Sequence, residues 1–167
     1  MRRLGLAIAL PLLLAGGTAA AGEPHDVGLT ANEVGTLHVE ARLGKQVGTE
    51  FLLDTGSAYV VLTDATRRSL AAEGALTPIR QLRAVMANNS TARAQVYRVS
   101  SLRFADGCEV RNFEAVALPG ARKNILGLSA LRAVAPFTVD VTPLRLRLNC
   151  TPAADVVAWS GAPAAAH

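Results

Sequence analysis

The chain has only two cysteines, Cys108 and Cys150, and neither has a C-x-x-C neighbour, so thiol redox catalysis and a thiolate metal site have no residues to build them. Its three histidines, His25, His38 and His167, lie far apart with no ligand spacing. They read as surface residues, and no metal site is expected. Aromatics make up 4% of the chain and do not interleave with the scattered arginines, which argues against a nucleic-acid surface. A long apolar run is also missing. The nearest approach, "LGLAIALPLLLAGG" after Arg2 and Arg3, is too short and too rich in Gly and Pro for a good membrane span.

That segment has instead the three parts of a secretory signal peptide: a basic start, an apolar middle and small residues at the end. Ala19 and Ala21 form an A-x-A site that puts cleavage before Gly22, so residues 1–21 are expected to be removed, leaving no stable membrane anchor. No Cys follows the apolar run, so a lipid-anchored form is not expected, and the residues around Arg2 and Arg3 do not support a twin-arginine route. The short Ala-rich leader favours a bacterial source and hence export to the periplasm, or secretion. In that setting the Asn-x-Ser/Thr triplets at Asn88, Asn89 and Asn149 carry no glycan. Taking two arginines from 17 basic residues against 13 acidic ones lowers the net charge from +4 to +2, so the basic pI says little about partners. Export also sets the redox state. Cys108 and Cys150 read as one disulfide rather than two separate buried thiols, and closing a loop of about forty residues is worth about 4 kcal/mol on the chain-entropy model.

The mature part is one domain over residues 35–151, preceded by an N-terminal extension at 22–34 and followed by an Ala- and Pro-rich tail, 152–167, expected to be disordered. In "GTLHVEARLGKQVGTEFLLDTG", Leu37, Val39 and Ala41 alternate before Gly44, and Val47, Thr49 and Phe51 after it, which gives two strands and a tight turn. Thr63 or Asp64 caps a helix, "ATRRSLAAE", that Gly74 stops. Strands follow at "QLRAVMA", "AQVYRVSSLRFA" and, after Asp106-Gly107, "CEVRNFEAVAL". Past a Pro119-Gly120 turn, "NILGLSALRAV" passes from a strand end into a short helix, and "FTVDVTPLRLRLNC" makes two strands around Pro143. Arg145 and Arg147 alternate with Leu144, Leu146 and Leu148 as the wet face of the last strand. Closely spaced strands with two short helices indicate a small, mostly β, closed barrel-like domain. A weak internal echo relates "FLLDTG…TDATRRSL" to "AVALPGARKNILGLSAL" at the level of elements.

The chemistry sits in "FLLDTGSAYVVL", residues 51–62. Four small polar residues inside so apolar a run cost burial energy unless a carboxylate is needed there. A lone Asp in a glycine turn is a poor catalyst. Two such Asp facing each other share one proton, because like charges about 3 Å apart cannot both ionise, and the pair can then act as base and acid together. Gly56 lets backbone approach the carboxylates, Thr55 has a hydroxyl to bond across a two-fold axis, and Ser57 has one to donate to Asp54. Asp54-Thr55-Gly56 is the single triplet of its kind, which excludes a two-domain monomer and calls for a second copy of the chain.

"FLLDTGSAYVVL", followed about seventy residues later by "NILGLSAL", resembles the single-domain aspartic proteases of the retropepsin-like group, particularly the bacterial exported members. The resemblance covers Gly35 to Cys150. It implies an acid-protease fold working as a two-fold homodimer on polypeptide substrates, without metal or other cofactor. Asp54 is then the catalytic residue, supported by Thr55, Gly56 and Ser57, and Ile125, Leu126 and Gly127 are the apolar-apolar-Gly motif that packs beside it. "AVMANNSTARAQV" resembles the flap hairpin, with Ala87, Asn88 and Asn89 at its tip. Asn89 stands where similar proteins have Gly, and Asn tolerates left-handed backbone better than most residues.

Two other readings compete. One keeps the fold and drops the chemistry: a peptide-binding barrel in which Asp54 is a turn residue. The other is a serine hydrolase built on "GLSAL", but Leu131 stands where the nucleophile elbow needs Gly, the β-α alternation is missing, and His38 and Asp140 lack triad context. Ser129 reads as a helix-start residue and Asp140 as a strand-end acid.

Overall fold

The first strand is one the sequence pattern does not announce. In the computed structural model, which describes residues 23–45, 48–86 and 89–150, β1 (Glu23–Ala31) occupies most of the expected N-terminal extension. It is built into the sheet: Val27 lies opposite Leu146 and Leu29 opposite Val39, and both side chains are buried. The expected signal peptide, Val47, the flap residues Ala87 and Asn88, and the tail 152–167 lie outside the described residues.

β2 (Leu37–Leu43) and β3 (Thr49–Leu53) form the expected hairpin, with Val39, Ala41, Leu43 and Phe51 buried. After the Asp54 turn comes β4 (Val60–Leu62), whose three side chains are all buried because strands flank it on both sides. α1 (Asp64–Ala72) starts at Thr63, whose side chain accepts from the Thr66 amide, and ends before Gly74 in the left-handed region at φ +69°. A long hairpin of β5 (Leu76–Val85) and β6 (Thr91–Phe104) follows, then β7 (Glu109–Ala117), β8 (Asn124–Leu126), α2 (Leu128–Leu131) with a 3-10 turn, β9 (Thr138–Val141) and β10 (Leu144–Cys150).

The sheet order is β5-β6-β7-β4-β8-β3-β2-β1-β10-β9, and β6 also pairs with β2 through Ala41–Phe104 and Leu43–Leu102. That extra pairing closes β6-β7-β4-β8-β3-β2 into a six-stranded barrel. Phe51, Phe104 and Phe113, from three of its strands, are fully buried inside it, each contributing on the order of 2–3 kcal/mol by leaving water.

Outside the ring, β1, β10 and β9 form an arm. Arg145 and Arg147 take the wet face of β10 and clamp Asp26 of β1, at 2.7 and 3.1 Å, while Arg147 also reaches Asp140. The arm is tied down by the Cys108–Cys150 disulfide, which joins the turn before β7 to the end of β10 with the two Cα atoms 5.8 Å apart.

His38 corrects an expectation. It is buried, at 5% exposure, because β2 lies between β1 and β3 at that point. Burial is tolerated because both ring nitrogens have partners, Glu50 Oε1 at 3.0 Å and Thr36 Oγ1 at 3.2 Å.

Candidate active site

Asp54 leaves the end of β3 in a turn that the backbone fixes on all sides. Its amide donates to the Leu126 carbonyl at 3.1 Å, its own carbonyl accepts from the Ser57 amide at 3.2 Å, and its Oδ1 accepts from the Gly56 amide at 2.9 Å. One carboxylate oxygen is therefore oriented by a main-chain donor while the side chain stays half-exposed, beside the exposed Thr55 and Gly56. A Cβ on Gly56 would sit 3.1 Å from Asp54 Oδ1, so a side chain there would crowd the carboxylate.

Ser57 differs from expectation. Its hydroxyl donates to the Tyr59 carbonyl at 2.8 Å instead of to Asp54, because the turn folds back on itself and the Gly56 amide already serves the carboxylate. Ser57 thus shapes the loop, and its own carbonyl accepts from the Leu128 amide at 2.9 Å.

Ile125 and Leu126 lie in β8, inserted between β3 and β4: parallel to β3, with Leu53 beside Leu126, and antiparallel to β4, with Val61 opposite Ile125. Asp54 and Gly127 are consequently the next residues on adjacent parallel strands. The two halves of the internal echo meet here. Gly127 has an extended backbone, so its need for glycine is steric. A Cβ at this position would overlap the Tyr59 carbonyl oxygen and approach the Ser57 oxygen to 2.8 Å.

The residues flanking this motif, Asn124, unremarked in the sequence, and Ser129, expected only to start a helix, hold it in place. Asn124 Oδ1 accepts from the Thr63 amide at 3.0 Å. Ser129 Oγ accepts from the Val60 amide at 2.8 Å and donates to the Glu114 carbonyl at 2.6 Å, joining α2 to β4 and β7. A nucleophilic role for Ser129 has no place in that arrangement. The available signal was polar residues bracketing a short apolar run that is buried on both edges.

The segment expected to be the flap falls in the β5–β6 hairpin. At its tip the Met86 amide donates to Ser90 and the Asn89 amide to Met86, at 2.8 and 2.9 Å. Asn89 adopts φ +61°, the left-handed conformation in which Asn substitutes for glycine. The inner face of the hairpin carries Ala94 and Val96, which form an apolar cluster with Val61 and Val116 that Leu82, Ala84 and Ile125 cover.

A six-stranded barrel with one carboxylate in a glycine turn and a long β-hairpin is the fold of a known class. The crystal structure of a retropepsin-like aspartic protease from Rickettsia conorii matches with a TM-score of 0.55, over 78% of this chain and 94% of that one, at 21% identity. The fold is retropepsin-like. Residues 39–130, more than half the chain, match the family described as "Aspartyl protease", and the chain belongs to that family. No match was found among curated proteins.

Proposed function

We propose that the mature chain is an exported, periplasmic aspartic endopeptidase whose active site forms when two copies join their Asp54 turns in a two-fold homodimer. The observation that carries this reading is the Asp54 turn itself: one carboxylate per chain, half-exposed, with one oxygen held by the Gly56 amide. Brought face to face, two such groups keep one proton between them. The ionised carboxylate takes a proton from a bound water, and the water oxygen attacks the peptide carbonyl. The protonated partner donates to the carbonyl oxygen, giving a tetrahedral intermediate that collapses as the amine leaves with a proton. The chemistry requires no metal or other cofactor and no covalent enzyme intermediate. The substrate is an extended polypeptide held by strand-like pairing under the hairpin, with apolar side chains flanking the scissile bond. The disulfide supports an oxidising compartment.

The test is peptidase activity on a diverse peptide mixture at mildly acidic pH, comparing the mature chain with Asp54→Asn and measuring oligomeric state on the same samples. Asn keeps the size of Asp and cannot act as acid or base. Cleavage that disappears in a folded, dimeric Asp54→Asn variant supports the reading. A dimeric wild type that cleaves nothing favours a peptide-binding barrel instead.

A further inference from the structure

A hairpin that projects beyond a barrel needs a fixed root, and the root here can be located. Among the described residues β5 pairs only with β6, and β6 meets β7 from Gln95 onward. Towards the tip, residues 82–85 and 91–94 pair only with each other. On β6 the hairpin therefore leaves the barrel at Gln95, which lies opposite Gln81, the neighbour of Arg80 on β5. Two local features already mark this point: a register shift between Pro78 and Arg80, and the Gln95 side-chain amide, which donates to the Arg80 carbonyl at 2.9 Å and the Val96 carbonyl at 3.0 Å.

The third feature reaches further. Arg80 Nη1 and Nη2 donate to the two oxygens of Glu114 on β7, each at 2.7 Å, and Nη2 also donates to the Tyr59 hydroxyl at 3.1 Å. Glu114 is buried, and its carboxylate holds the Arg80 pKa above the usual guanidinium range. Tyr59 belongs to the loop of Asp54: its carbonyl accepts from Ser57 and abuts Gly127. An ion pair that served only to stabilise the sheet would need Glu114 alone. The planar fork of Arg supplies the third bond in a fixed geometry that Lys cannot reproduce.

We propose that Arg80 is a positioning residue that fixes the root of the hairpin to the loop carrying Asp54, through the Glu114 carboxylate and the Tyr59 hydroxyl. Its kinetic consequence rests on the endopeptidase reading; its effect on the hairpin does not.

Tyr59→Phe removes the link to the Asp54 loop and leaves the pair between exposed Arg80 and buried Glu114 intact, so it tests the proposal without stranding a charge. Arg80→Lys keeps the charge and loses the fork. Both are compared with wild type for kcat, KM and amide hydrogen exchange of residues 82–85 and 91–94. The expected result for Tyr59→Phe is a rise in KM of roughly threefold to tenfold with kcat little changed, the scale of one hydrogen bond, and faster exchange by a similar factor. Arg80→Lys should show a larger rise in both. Unchanged KM and unchanged exchange in both variants would overturn the proposal and leave Arg80 as a sheet ion pair. If the wild type cleaves no peptide, the endopeptidase reading fails, and the exchange rates alone decide: faster in both variants supports the anchoring, equal to wild type overturns it.

Discussion

Gly127 shows how much of the site is decided at single residues. The sequence offered it as the end of an apolar-apolar-Gly motif, and the structure supplies the reason: β8 is threaded between β3 and β4 so closely that the Tyr59 carbonyl occupies the space of a Cβ. Gly127→Ala therefore has to push the Tyr59 loop away from β8, at a cost of about 3 kcal/mol or more, and the displaced loop carries Asp54 with it. Gly28 in β1 is the control, since nothing lies within 4 Å of a Cβ there. Gly28→Ala should change stability by less than about 0.5 kcal/mol. Chemical denaturation of both variants checks the contrast, and equal effects would show that the close approach at Gly127 is easily relaxed. The Asp54 turn and the β8 motif were legible because their residue types are unusual for their surroundings. Ser129, Asn124 and Arg80 were not, since each acts through a partner far along the chain and none departs from what its local segment would ordinarily hold.

At the scale of elements, local signals worked where an element is shaped by its own sequence. The capped α1, the Gly44 hairpin, the strands around Asp106-Gly107 and the two final strands all follow from alternation and turn residues. β1 is different: "EPHDVGLTA" holds Pro, Gly and three charged or titratable residues, and it becomes a strand only because β10 and β2 supply partners for its backbone. Asp26 is the clearest case, placed between Arg145 and Arg147. The hydrogen bond from Arg147, followed by the bond from Arg145 and the charges of both, lowers its pKa below 3.8. The folded state thus binds the Asp26 proton less readily than the unfolded chain does. The stabilisation is complete above about pH 3.8 and is lost as pH falls through the lowered folded pKa. Asp26→Asn should melt at a lower temperature than wild type at neutral and mildly acidic pH, with the gap closing in strong acid. Thermal scans across that range decide it, and a gap independent of pH would assign the loss to packing instead of charge. Because the clamp persists at mildly acidic pH, β1 should remain in place where the proposed peptidase chemistry is assayed.

For the whole molecule, the decisive fact is arithmetic: the barrel carries one Asp54 turn, and the proposed reaction uses two. The closed ring was anticipated as barrel-like, but its closure by β2 and β6, sixty residues apart, is a long-range pairing that no local pattern encodes. The same holds for assembly, because a two-fold interface is a property of a surface and leaves no period in the sequence. Activity gives access to it. Below the dimer dissociation constant the number of sites varies as the square of chain concentration, so activity per chain should fall about twofold for each twofold dilution, and should level off well above that constant. Subunit mixing sharpens the test. If wild type and Asp54→Asn assort freely at constant total chain concentration, an equal mixture should retain about one quarter of the wild-type activity, since only dimers with two intact turns cleave. Half the activity would mean that each chain works alone. The pH profile of the same samples should be bell-shaped on the acidic to neutral side, its two limbs belonging to the carboxylate pair and not to either Asp54 separately.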